Sequence, residues 1–270
     1  MLPNFLVIGA PRAGTTWIDE NLRRHPEVFL PQKKELHFFD LNFEKGMEYY
    51  EAFFSAWRGQ KAVGEATPAY LHGAYSKNNI PHLIRQSLPR VKLIASLRHP
   101  VERAYSRYLN SFAKYDHNIR LSFHDKLLQK PEFIQEGYYF RQLQPYFELF
   151  PRDDILVLLY DDMQTDPKGF MRRIYEFIEV DPDMETGFEG ARINMAAGKR
   201  NLARSKLLWL ASRGLSRLNF HTAATRLKKF NSKAIPPLDP ALRQQLADVY
   251  REENAKLQEL IGRDLSAWNS

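Results

Sequence analysis

Short apolar runs bounded by turn-forming residues alternate along this chain with segments whose apolar positions recur every three or four residues. Residues 4–8, 61–64, 91–97 and 155–160 are runs of the first kind and read as strands. Residues 15–24, 101–113, 167–178 and 240–262 carry the helical period. In the last of these, Leu242, Leu246, Val249, Tyr250, Leu257 and Leu260 repeat at helical spacing, and Gly262 supplies the stop. Strand and helix in alternation predict an α/β fold, with a mostly parallel sheet and crossover helices.

Composition narrows this picture. The 270 residues contain no linker-like tract, which predicts a single domain over 1–270. With 44% hydrophobic and 13% aromatic residues, that domain has enough apolar surface for a sizeable core. Cysteine is absent, which excludes disulfides and thiolate metal sites. Met1 runs directly into the first strand without a signal-peptide pattern, and no apolar stretch reaches the roughly 20 residues of a membrane span. The chain is therefore expected to be soluble and cytoplasmic, without an integral membrane segment.

A net charge of +7 implies an anionic partner: nucleic acid, an anionic membrane, a sulfated polymer or a charged cofactor all fit. The charge is unevenly spread. Residues 190–238 hold eleven lysines and arginines and no acid, a self-repelling stretch unless an anion lies nearby.

The most informative segment is Gly9-Ala10-Pro11-Arg12-Ala13-Gly14-Thr15-Thr16-Trp17, between a strand and a helix. A glycine-bearing loop in that context aims backbone N–H groups and a positive helix end at one anion. Its glycines follow the G-x-x-x-x-G spacing of phosphate loops, but Thr15 stands where a nucleotide hydrolase has lysine. The cation sits inside the loop instead, as Arg12. With no aspartate evidently placed for magnesium, ATP or GTP hydrolysis is disfavoured. A guanidinium and loop amides suit a phosphate leaving group that needs no metal.

The stretch 11–17 resembles the 5′-phosphosulfate loop of sulfotransferases that use 3′-phosphoadenosine 5′-phosphosulfate (PAPS), where lysine is the commoner residue at the Arg12 position. The resemblance implies a P-loop-type three-layer sandwich, its central parallel sheet flanked by helices, and assigns Pro11, Arg12, Ala13, Gly14, Thr15, Thr16 and Trp17 to the co-substrate. About 80 residues on, the strand at 91–97 runs into Arg98-His99-Pro100, with Ser106 two turns into the next helix. An arginine at the C-terminal end of a buried strand stands at the edge where α/β sheets bind ligands. Arg98 and Ser106 match the family's 3′-phosphate site. Lys199 and Arg200 match its late loop over the same phosphate.

On the acceptor side, Glu35-Leu36-His37-Phe38-Phe39-Asp40 sets two titratable groups two residues apart, which an extended backbone projects to one side. Either Glu35 or His37 is a candidate base. The stretch is similar to one in the carbohydrate-directed branch, notably the heparan sulfate sulfotransferases, which implies Glu35 as base and His37 in support. Glu65-Ala66-Thr67-Pro68-Ala69-Tyr70 resembles another stretch of that branch, in which a lysine stands at the Ala66 position. Its absence points to an acceptor less charged than heparan. The aromatic helix around Tyr138, Tyr139, Phe140, Leu143 and Tyr146, and the ending from Leu260 to Trp268, follow the family as well.

These readings converge on sulfuryl transfer from PAPS to a hydroxyl or amine of a carbohydrate or small metabolite, with Glu35, His37 and Arg12 catalytic. They call for no metal and no nucleic acid. A nucleotide kinase or hydrolase on the same scaffold, and a basic module for polyanions or membranes, are the rival expectations.

Overall fold

In the computed structural model, residues 1–75, 78–114, 122–184, 202–203, 206–217, 220–230, 232–233 and 237–270 are described. Five parallel strands form the central sheet: β1 (Phe5–Gly9), β2 (Val28–Phe29), β3 (Ala62–Ala66), β4 (Lys92–Leu97) and β5 (Ile155–Leu159). Their spatial order is β2-β3-β1-β4-β5. The chain leaves β1, adds two strands on one side, and then crosses β1 to add two on the other. The C-terminal ends of β3, β1 and β4 thus flank the crevice where such sheets take ligands.

The sheet's two faces are covered by different helices. Leu6 and Ile8 of β1 point to one core, with Val63, Leu93, Ala95 and Leu97. Phe5 and Val7 point to the other, with Ala62, Ala66 and Ile94. Helix α1 (Thr15–Leu22) covers the second face through Trp17, Ile18 and Leu22. The first face lies under helices α2 (Gly46–Glu51) and α3 (Ile80–Ser87). Gly64 on β3 accommodates the ring of Phe5, which would lie 2.3 Å from an added Cβ. The arrangement is the three-layer sandwich expected from the sequence.

After β4, helix α4 (Pro100–Lys114) starts with its proline at the first helical position. It is followed by α5 (Phe123–Gln129), α6 (Glu132–Gln135) and α7 (Tyr139–Leu149). β5 leads into α8 (Tyr160–Thr165) and α9 (Pro167–Phe177), and α9 packs Phe170, Met171 and Ile174 beside α1. Within the basic stretch, helices α10 (Lys206–Arg217) and α11 (His221–Phe230) pack together, beside a two-stranded antiparallel pair, β6 (Leu202–Ala203) and β7 (Ser232–Lys233). The closing helix α12 (Pro240–Ile261) ends at Gly262, φ 65°, as its glycine predicts. No helix among the described residues is long and apolar enough to cross a membrane.

Four expected strands fall within two residues of their predicted limits. The sequence reading missed β2, whose two residues make no recognisable run. It also placed Val249 on the apolar face of α12, whereas that side chain is 47% exposed. The buried stripe of α12 runs through Leu246, Ala247, Tyr250 and Leu257 instead.

Candidate active site

The loop after β1 is fastened to its neighbouring strand by one serine. Ser96 of β4 donates its hydroxyl to the Ala13 carbonyl at 2.7 Å and accepts the Ala10 N–H on its own carbonyl at 2.7 Å. Gly14 caps α1 with φ 88° and no side-chain partner, so the first amides of the helix stay open to a ligand. A Cβ at Gly14 would lie 2.4 Å from Met163 and 3.2 Å from the Tyr160 ring, so both space and backbone angle demand glycine. Pro11 is half-buried and Thr16 exposed, while Thr15 is 5% exposed. Ala13 and Trp17 turn inward, the indole meeting Phe170 edge-on with ring centres 6.1 Å apart.

Arg12 reaches out of this loop to α4. Its Nε donates to Ser106 Oγ at 3.2 Å, joining the two segments that the sequence assigned to opposite ends of one nucleotide. Arg98 follows β4 directly and lays its guanidinium over the Tyr160 ring, 4.8 Å from its centre. Its Nη2 is 3.9 Å from Glu102, one turn along α4. The Tyr139 hydroxyl donates to the Arg98 carbonyl at 2.9 Å. Tyr160 therefore stands beside both Gly14 and Arg98, so the loop and the strand-end arginine meet at one aromatic ring. Lys199 and Arg200 lie outside the described residues.

The 35–40 segment is not extended. Glu35 has φ 59° and His37 φ 52°, and residues 38–42 form a π-helical turn (Phe38–Asn42). Glu35 and His37 still come together, but through two left-handed residues instead of strand alternation: His37 Nε2 is 3.6 Å from Glu35 Oε2. The other ring nitrogen, Nδ1, donates to Asp40 Oδ2 at 2.7 Å, an orienting role that the sequence reading did not assign. The three side chains are graded in exposure, from Glu35 at 47% through His37 at 31% to Asp40 at 12%. The outermost carboxylate faces solvent. Among the described residues, positive φ outside glycine occurs at Arg12, Glu35, His37 and Glu179. Backbone strain of this kind costs of order 1–3 kcal/mol per residue and gathers where function holds it in place. Three of the four sites are the candidate catalytic residues.

Beneath this turn lies a carboxylate buried to 2% exposure, Glu65 on β3. It accepts from Tyr50 at 2.9 Å, Tyr70 at 2.8 Å and Thr67 at 2.6 Å. Two of those hydroxyls face the strained segment: Tyr70 accepts the Phe38 N–H at 3.0 Å and Thr67 the His37 N–H at 3.4 Å. Burial pushes the Glu65 carboxyl above its ordinary range, opposed by the three hydroxyl donors. This network holds the turn from below. A strand glutamate and three hydroxyls, one of them 15 residues upstream, give no such indication in the sequence.

Comparison with known proteins agrees with the geometry. Residues 2–258 match the family described as "Sulfotransferase domain". The chain is 27% identical over 273 residues to heparan sulfate glucosamine 3-O-sulfotransferase 3B1 of Mus musculus, covering 97% of this chain and 64% of that protein. It is 41% identical over 110 residues to membrane-associated sulfotransferase kil1 of Dictyostelium discoideum, covering 40% of this chain and 22% of the relative. The chain thus spans less than two thirds of these two relatives' length. A sulfotransferase from Alicyclobacillus acidocaldarius superposes over the whole of both chains, with a TM-score of 0.74 at 25% identity. With its loop, its strand-end arginine and its sheet order in place, this chain belongs to the sulfotransferase domain family.

Proposed function

We propose that this protein moves the sulfuryl group of PAPS to a hydroxyl or amine of a carbohydrate or small metabolite. The observation that carries the reading is the Arg12–Ser106 contact, which supports the phosphate loop and α4, two turns in, as walls of one anion-holding cleft. The 5′-phosphosulfate lies against the loop amides, Thr15, Thr16 and Arg12, and the 3′-phosphate against Arg98 and Ser106. Glu35 takes the acceptor's proton while His37, held by Asp40, orients it. The acceptor oxygen or nitrogen forms a bond to sulfur as the bond from sulfur to the bridging oxygen breaks. The electron pair leaves on the 5′-phosphate, where Arg12 and the helix end neutralise it. Positioning and electrostatics supply most of the rate in such a site.

Heparan sulfate relatives support a carbohydrate acceptor, while Ala66, in place of a cation, supports a less charged one. Titration calorimetry with 3′-phosphoadenosine 5′-phosphate (PAP), and an acceptor panel with labelled PAPS, test the reading. Arg98→Ala is expected to weaken PAP binding about ten- to a hundredfold, as loss of a charged contact does. Glu35→Gln is expected to leave PAP binding intact and abolish transfer. Absence of PAP binding at millimolar concentration would remove the proposal.

A further inference from the structure

Lys34 is a further cation beside the proposed site. It precedes the candidate base directly, yet its side chain crosses to the donor side of the cleft: Nζ donates to Thr16 Oγ1 at 2.9 Å. Thr16 is the second residue of α1, so the ammonium rests against the positive end of that helix. A helix N-terminus favours anions and disfavours a lysine. The side chain is half-buried, and desolvation lowers its pKa, only partly opposed by Asp19, Glu35 and Glu20. Among the described residues, Thr16 is its one hydrogen-bond partner and no ion pair holds it.

Two unfavourable circumstances meet at one ammonium, burial and a like-signed helix end, and the nearby carboxylates of Asp19, Glu35 and Glu20 offset them only in part. An anion set between Thr16 and Glu35 relieves both. In the proposed complex that position belongs to the group in transit, since the loop holds the 5′-phosphate and Glu35 holds the acceptor. We propose that Lys34 binds the sulfuryl oxygens of the donor, bridging the donor loop and the base-bearing segment.

This assignment rests on the PAPS reading and adds a specific residue to it. The sulfuryl group keeps its negative charge as it passes from the phosphate oxygen to the acceptor, and Lys34 offers a fixed charge along that path. The nearby Glu35 carboxylate is held on the same segment, so the contact also sets the distance between base and donor.

The discriminating measurement compares two nucleotides that differ by the sulfuryl group. Calorimetric titration of Lys34→Gln is expected to show PAPS affinity lowered about tenfold and PAP affinity held within about twofold. Lys34→Arg is expected to restore most of the PAPS affinity, because it returns the charge. Equal losses for both nucleotides would move Lys34 to the 5′-phosphate and overturn the assignment. Wild-type affinity for both in Lys34→Gln would overturn it too, while leaving the donor reading intact. Wild-type protein that binds neither nucleotide would bring down the donor reading, and this assignment with it.

Discussion

Arg12 and Ser106 are 94 positions apart in the chain and 3.2 Å apart in space, the guanidinium Nε donating to the hydroxyl. The arginine leaves a left-handed residue in the loop after β1, and the serine faces it from two turns into α4. One serine hydroxyl thus stands between the arginine proposed to meet the leaving phosphate and the element proposed to carry the 3′-phosphate contacts.

Ser106→Ala separates these two duties. The variant is expected to bind PAP about ten- to a hundredfold more weakly, the cost of one hydrogen bond to a charged group. Adenosine 5′-phosphate, which lacks the 3′-phosphate, is expected to bind wild type and variant alike. Equal losses for the two nucleotides in calorimetry would place Ser106 on the 5′ side only. The substitution removes a single half-buried oxygen and leaves α4 intact.

Tyr70 carries the second prediction. Its hydroxyl donates to Glu65 and accepts the Phe38 N–H, so it transmits the buried network to the turn bearing Glu35 and His37. Tyr70→Phe keeps the ring within its aromatic cluster, where Phe39 meets it edge-on at 5.5 Å. A displacement of the base by about an ångström costs up to about 10²-fold in rate. The expected outcome is a fall in kcat of that order with PAP affinity unchanged. A variant with wild-type kcat would show that the turn holds itself.

Much of this architecture was legible in the sequence, and the exceptions share a cause. Near-continuous apolar runs mark β1, β4 and β5 because strands covered on both faces have little polar side to alternate. The loop at 9–14 announces itself by glycines at fixed spacing between strand and helix, a local pattern. Arg98 needed only its place after β4. Glu35 and His37 were paired by their residue types, while the geometry assumed for them was wrong: left-handed backbone at non-glycine residues is imposed by tertiary contacts from Thr67 and Tyr70. The parts of Asp40, Lys34 and Tyr160 were hidden for a similar reason. Each is placed by a partner fixed by folding: His37 for Asp40, Thr16 for Lys34, Arg98 and Gly14 for Tyr160. Val249 illustrates the converse, an apolar residue on the helical period that folding leaves outside.

The third prediction concerns Glu65 and pH. Burial raises its folded pKa above the unfolded value, near 4.5. The folded state therefore binds the proton more tightly than the unfolded state, and the linkage slope is negative. Below the unfolded pKa the carboxyl is protonated in both states and contributes no pH dependence. As pH rises from there through the folded pKa, the group withdraws stability, and the penalty is constant above that. Glu65→Gln keeps the shape and an acceptor for the tyrosine hydroxyls but cannot ionise. Thermal unfolding of both proteins between pH 4.5 and 7.5 is expected to show the wild-type Tm falling relative to the variant as pH rises. Parallel Tm curves would mean that the three hydroxyl donors stabilise the carboxylate enough to cancel desolvation, leaving Glu65 ionised in its pocket. The variant's hydrogen-bond losses do not depend on pH, so the slope and not the offset decides between these states.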